Sequence, residues 1–131
     1  DYGTVALPYG PGAPAGVRTA PGDPSIDAAT QARRPLFGAL PVVSASIGYD
    51  TSTSVTGVSE AVQAKYVVRL LLENAKRGFV RTYHFGLYDF HEDATLGWKR
   101  MGLVHADGTP KPAFAAVANL LALLRDPGGQ A

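Results

Sequence analysis

The chain has 131 residues, 46% of them hydrophobic and 18% charged, enough for one domain with a core of its own and unlike the composition of a disordered tail. Its formal net charge of +1 gives no electrostatic reason to expect nucleic acid or an anionic membrane as partner, and no apolar run approaches the ~20 residues of a membrane span. The absence of cysteine excludes a disulfide framework and a thiolate metal site and leaves the redox compartment unread.

Asp1 stands directly before a strand-like run, with neither a methionine nor the basic and apolar segments of a secretory signal. That start points to a processed chain, an engineered start or a piece of something longer. Tyr2 to Tyr9 is a short apolar run rich in β-formers and predicts a buried strand closed by Pro8. Gly10 to Pro24 is crowded with proline and glycine and reads as a loop. Ser25 is placed to cap a helix over Ile26 to Arg34, which Pro35 should end or kink.

Pro41 to Tyr49 predicts the second strand, and the polar tract from Asp50 to Ser59 a loop. Glu60 to Arg77 predicts a helix with Ala61, Ala64, Val68, Leu71, Leu72 and Ala75 on its apolar face. Gln63, Lys65, Arg69 and Glu73 would lie away from that face, and Gly78 supplies the stop. Phe79 to Phe90 reads as a third strand, dense in aromatics. Pro112 begins a last helix whose apolar face would comprise Phe114, Val117, Ala118, Leu121 and Leu124. Alternation of strand and helix argues for parallel strands covered by helices.

The stretch Gly102-Leu-Val-His-Ala-Asp-Gly-Thr-Pro-Lys-Pro-Ala-Phe114 resembles the closing segment of many clan A glycosidases, the group that includes cellulases and β-xylosidases. There a GL-x-x-x-DGTPKPA-[FY] run joins the last strand to the last helix. The residues agree with that role: Asp107-Gly108 favours a tight turn, and Lys111-Pro112 starts a helix with Phe114 expected to pack inward. Ser59 to Gly78 looks like the seventh helix of the clan, and Pro41 to Ser52 is similar to its seventh strand, P-V-W-x-T-E-x-G-Y. Tyr2 to Tyr9 would then be the sixth strand, whose usual ending is His-Pro-Tyr, and Phe79 to Phe90 the eighth.

The resemblance implies an α/β fold: the last three βα units of a partial (β/α)₈ TIM barrel whose usual size is ~250 residues. One domain or domain fragment would divide into a sixth unit at 1–40, a seventh at 41–78, and an eighth unit with the C-terminal helix at 79–131. It also implies hydrolysis of β-linked carbohydrate, without a metal or another cofactor, and only this analogy points to secretion. The departures fall on the active face. The nucleophilic Glu of the family pattern is Ser46 here, its preceding Thr is Ala45, the Trp is Val43, and the His of His-Pro-Tyr is Leu7. The strand that carries the acid/base Glu has no counterpart. As given, the chain is expected to be catalytically incompetent; the alternative is a non-catalytic carbohydrate-binding or assembly module.

A retaining glycosidase needs two carboxyl groups ~5 Å apart. Asp89, at the end of the third strand, is the candidate acid, against the commoner role of a strand-end acid as a loop cap or ion-pair partner. Glu92 and Asp93 read as solvated loop residues. Ser44-Ala-Ser46-Ile-Gly48 is a degenerate G-x-S-x-G, but the long loop after Ser46 precludes the sharp strand-to-helix elbow such a nucleophile requires. His84, His91 and His105 match no metal signature, and His105 reads as surface.

Aromatic faces stack on the apolar CH faces of sugars. Tyr9, Tyr49, Tyr88 and Trp98, at or beyond strand ends, are the candidate carbohydrate contacts. Strands this apolar leave open edges in a partial sheet. The remaining partner expected is therefore a second copy of the chain or an N-terminal barrel half.

Overall fold

A computed structural model describes residues 3–5, 31, 32, 34–36, 38–53, 57–90 and 97–125; for 3–5, 46, 97 and 98 the description is of the backbone alone. The elements in chain order are β1 (Gly3–Val5), β2 (Val42–Ile47), α1 (Glu60–Lys76), β3 (Arg81–His84), a 3₁₀ turn at Gly97–Arg100 and α2 (Pro112–Leu124). The three strands form one sheet in the order β1-β2-β3, and both pairings are parallel. This is the alternating α/β architecture expected from the sequence, with shorter strands. β3 covers only part of the Phe79–Phe90 run because the chain turns at Gly86, whose φ of +81° a residue with a side chain rarely adopts.

The start of the helix expected at Ile26–Arg34 lies outside the described residues. Its end is not where proline was expected to set it: 34–36 are helical and include Pro35. The stop falls at Gly38, which takes φ +58° and donates its amide to the Arg34 carbonyl at 2.8 Å. Glycine reaches the left-handed conformation that closes a helix at no steric cost.

Register along β2 fixes which residues meet the helices. Val43 pairs with Arg81 and Ser44 with Thr82, but Ile47 pairs with His84. Two residues, Ala45 and Ser46, therefore oppose the single residue Tyr83: a β-bulge. The extra residue inverts the alternation. Val42 joins the helix-side core before the bulge, and Ile47 and Tyr49 join it after, with Val67 and Leu70 of α1, Phe79, Leu103 and Ala113. Full burial of an aliphatic side chain of this size contributes about 1.5–3 kcal/mol.

α1 begins where Ser59 accepts a hydrogen bond from the Val62 amide at 3.3 Å. Glu60 in the first turn and Lys76 in the last suit the helix dipole. Its buried face differs from the expected one. The residues turned inward are Gln63, Val67, Leu70 and Asn74, while Ala61, Leu72 and Ala75 are exposed. The spacing is still helical, but two of the four are amides, because the elements beneath α1 offer backbone and hydroxyl oxygens as well as apolar surface. Asn74 Nδ2 donates to Thr82 Oγ1 at 3.2 Å.

α2 corrects its expected face too. Ala113 and Leu120 are buried, whereas Phe114 is 41% exposed and Leu121 and Leu124 are each 61% exposed. Phe114 does not pack inward. Residues 113, 117, 120 and 124 follow one side of a 3.6-residue helix, and 114, 118 and 121 lie about 100° round from it.

Candidate functional site

In a parallel sheet with covering helices, the loops leaving the strands and the helix N-termini they lead into gather at one end. Here that end holds Tyr49 to Ser52 after β2, Leu87 to Phe90 after β3, the first turn of α1, and the approach to α2 from Arg100 to Lys111. The segment from Arg100 to Pro110 returns against the chain leaving β3, through a parallel bridge between Tyr88 and Val104 and an antiparallel one between Val104 and Pro110. Gly102 permits the approach: a Cβ there would collide with the backbone of Tyr88 and Asp89.

Asp89 is the centre of this end. Its side chain is 0% exposed. Lys111 Nζ, also 0% exposed, lies 2.8 Å from Asp89 Oδ1 and 2.7 Å from Oδ2. The Gly102 amide donates to Oδ1 at 2.9 Å. Lys111 Nζ also donates to Thr51 Oγ1 at 2.9 Å, and Thr51 donates through its hydroxyl (2.9 Å) and its amide (3.0 Å) to the Arg100 carbonyl. His105 continues the cluster outward, with Nδ1 3.8 Å from Asp89 Oδ2 and Nε2 3.2 Å from Glu60 Oε1. His105 is therefore a half-buried bridge between carboxylates and not the free surface residue its sequence position implied.

A carboxylate committed to an ammonium and a backbone amide, and sealed from solvent, cannot approach a sugar. Asp89 thus takes the ion-pair role weighed against catalysis. Removing either partner would strand a buried charge, at about 3–5 kcal/mol. A second tie runs from α1: Gln63 Nε2 donates to the carbonyls of Tyr49 (3.0 Å), Gly102 (3.1 Å) and Met101 (3.4 Å). Together these bonds fix the loops after β2 and β3 to both helix starts.

Of the four candidate sugar contacts, the structure describes the side chains of Tyr49 and Tyr88. Tyr49 is 5% exposed, stacked edge-on against Tyr66 at 5.3 Å, and belongs to the core. Tyr88 is 54% exposed, beside Leu87 and Phe90, which are equally open. Tyr9, His91, Glu92 and Asp93 lie outside the described residues, as does the side chain of Trp98, whose backbone is in the 3₁₀ turn. Ser46 is described through its backbone, which forms half of the β2 bulge. Bulges bend a strand and re-aim its side chains, and they recur next to active sites.

His84, at the end of β3, is held neutral. Burial lowers its pKa from the ordinary 6.5; a hydrogen bond from Nδ1 to the Gly86 carbonyl at 3.1 Å opposes that, and the Lys111 charge adds to the lowering. Among the described residues no three His, Asp or Glu side chains gather as a metal site. An open groove of about 590 Å³, lined by Ala64, Val68 and Leu72 of α1 and Ala116, Leu120 and Leu123 of α2, runs between the helices and not at the strand ends.

Sequence reasoning missed Lys111, Gln63 and Thr51. Lys111 was read only as a helix start and Gln63 as solvent-facing. One signal for Gln63 was available: 63, 67, 70 and 74 are as regularly spaced as the apolar set, with an amide at each end.

No family model and no curated protein matches the chain. Solved structures do. A family 39 glycoside hydrolase from the gut symbiont Bacteroides cellulosilyticus aligns with a TM-score of 0.55 at 24% identity, over 66% of this chain and 17% of its own. Bifidobacterium dentium beta-glucuronidase, solved with coumarin-3-O-glucuronide, aligns at 0.53 and 25% identity, over 81% and 19%. Faecalibacterium prausnitzii beta-glucuronidase gives 0.52 and 22%, over 79% and 20%. The chain has a glycoside-hydrolase-like fold and spans about a fifth of the length of these structures.

Proposed function

We propose that this chain contributes the last βα units of a barrel that engages β-linked carbohydrate, and that by itself it does not catalyse glycoside hydrolysis. The observation that carries the reading is the parallel β1-β2-β3 sheet with its strand-end loops tied to two helix starts, a fold similar to that of glycoside hydrolases. A retaining mechanism requires a carboxylate nucleophile. The resembling pattern would place it at position 46, where Ser46 stands in the bulge of the central strand. A serine hydroxyl without an activating base does not replace it, and Asp89 is committed to Lys111. Tyr88, Trp98 and Tyr9 are the proposed sugar contacts; the exposure of Tyr88 supports the first of them.

Two measurements test this reading. Aryl β-glycosides should show no turnover with the chain; turnover that disappears in Ser46→Ala would overturn the proposed incompetence. Titration with β-linked oligosaccharides should shift the fluorescence of Trp98, the single tryptophan, with affinity between about millimolar and micromolar, corresponding to ~4–8 kcal/mol. A silent titration across the panel would favour a module of assembly over one of carbohydrate binding.

A further inference from the structure

The groove between α1 and α2 is walled by two rows of apolar side chains, Ala64, Val68 and Leu72 on one helix and Ala116, Leu120 and Leu123 on the other. Along each row the residues stand about one helical turn apart, roughly 5–6 Å. Leu72 and Leu123 are 43% and 82% exposed, so the groove is open to solvent along its length.

Its rim is charged on one side only. Lys65 and Arg69 line it from α1, and both are exposed. Across from them α2 offers Asn119 and carries no charge from Pro112 to Leu124. The acids of α1 are engaged elsewhere, Glu60 at 3.2 Å from His105 and Glu73 at 3.0 Å from Arg77. Among the described residues no ion pair engages Lys65 or Arg69. Like charges four positions apart on a helix oppose its formation, and an acidic partner would relieve that repulsion.

We propose that the groove receives an amphipathic helix of a partner protein, its apolar side laid between α1 and α2 and its acidic residues set on Lys65 and Arg69. Rows of side chains at turn spacing accept the ridges of a third helix. An acyl chain has no such ridges and would stay wet along one side of so open a groove. The two cations select the charge of the occupant. They also turn away a second copy of the chain, whose own groove repeats the cations and whose α2 has no acid to answer them. The inference stands on the groove and not on the carbohydrate reading.

The probe is a labelled synthetic peptide about four turns long, with leucines at i, i+3, i+4 and i+7 and glutamates flanking them. It should bind the full chain saturably in fluorescence anisotropy. The same peptide with lysines in place of glutamates should bind at least tenfold more weakly, about 1.4 kcal/mol or more. Lys65→Glu combined with Arg69→Glu should reverse that preference. Leu123→Glu should weaken the acidic peptide at least tenfold, with the helical circular dichroism unchanged. Lys76→Glu and Leu124→Glu, at exposed positions outside the groove, should leave its affinity as it was. Absence of saturable binding would overturn the proposal, as would equal affinity for the two peptides or an equal response to the substitutions outside the groove. Binding to phosphatidylglycerol vesicles that exceeds binding to the peptide, and is lost in the Lys65→Glu, Arg69→Glu chain, would overturn it too, because the cations would then serve a membrane surface. Should that double substitution unfold the chain, Lys65→Gln with Arg69→Gln removes the charges without reversing them, and a preference for the acidic peptide that survives it would sink the proposal.

Discussion

α1 and α2 lie side by side and invert each other. α1 carries charges at Glu60, Lys65, Arg69, Glu73 and Lys76, yet its buried stripe runs without a break, from Gln63 through Val67 and Leu70 to Asn74. α2 has no charge and a far more apolar sequence, yet only Ala113 and Leu120 are buried. Hydropathy would rank them the other way. The difference teaches that burial follows the partners the fold supplies. α1 lies over carbonyls and a threonine hydroxyl that accept from its amides, has α2 beside it, and turns Lys65, Arg69 and Lys76 to water. α2 is anchored at one end and meets α1 along one side, but Leu121, Leu123 and Leu124 stay 61%, 82% and 61% exposed.

The anchor of α2 is where the comparison can be broken most severely. Lys111 precedes the helix without capping it by a side-chain bond; its ammonium is spent on Asp89 and Thr51. Lys111→Met keeps the length and removes the charge, leaving Asp89 only the longer contacts of Arg100 at 3.9 Å and His105 at 3.8 Å. The expected loss is about 3–5 kcal/mol in urea unfolding. Adding Asp89→Asn should recover part of it, since coupled partners are not additive. A loss below about 1 kcal/mol for the single change would mean that α2 is held by its apolar contacts after all.

The buried amide of α1 is next. Gln63→Leu conserves size and gains hydrophobicity, but three carbonyls lose their donor. The expected cost is about 2 kcal/mol. Leu72→Ala, on the side of α1 that hydropathy marked for burial, should stay within about 0.5 kcal/mol because Leu72 is 43% exposed. The reverse ranking would restore the apolar face read from the sequence.

What the sequence made legible was local or periodic. The bounds of α1 were set within one residue because Ser59 and Gly78 act on their own neighbourhood. The Asp107-Gly108 turn was equally readable: Gly108 takes φ +90°, and Thr109 donates its hydroxyl and amide to Asp107 Oδ1 at 2.7 and 2.8 Å. The alternation of strands and helices gave the parallel order. What was not legible depends on pairings across the fold. Asp89 and Lys111 are 22 positions apart, and nothing local marks them as partners. Tyr49 sits at a strand end, where a pocket residue would sit, but the β2 bulge turns it into the core. Hydropathy chose a face for each helix without knowing what lay beneath: Ala64, Leu71 and Val117 do pack against the core, but Gln63 and Asn74 were missed, and Leu72, Phe114 and Leu121 are exposed.

The smallest expected effect concerns pH, and it reports how closely the anchor of α2 bears on the sheet. Burial and the Lys111 charge both push the His84 pKa below the ordinary 6.5. In the folded chain its ring is neutral where the unfolded chain would begin to protonate. The unfolded state then binds more protons, and stability falls as pH falls. This contribution is fully present above about pH 6.5, declines below it, and levels off once the folded-state pKa is passed. His84→Asn should flatten that part of the stability profile and leave the steeper loss from carboxylates at lower pH in place. Titration of the His84 ring by NMR should give a pKa under 6.5, and Lys111→Met should raise it by removing a nearby positive charge. Glu73→Gln on α1 should leave it unmoved, because Glu73 is engaged with Arg77 at 3.0 Å and is not among the charges that act on the ring. A His84 that titrates above 6.5, or responds equally to both substitutions, would show that the two helices act on the sheet end alike.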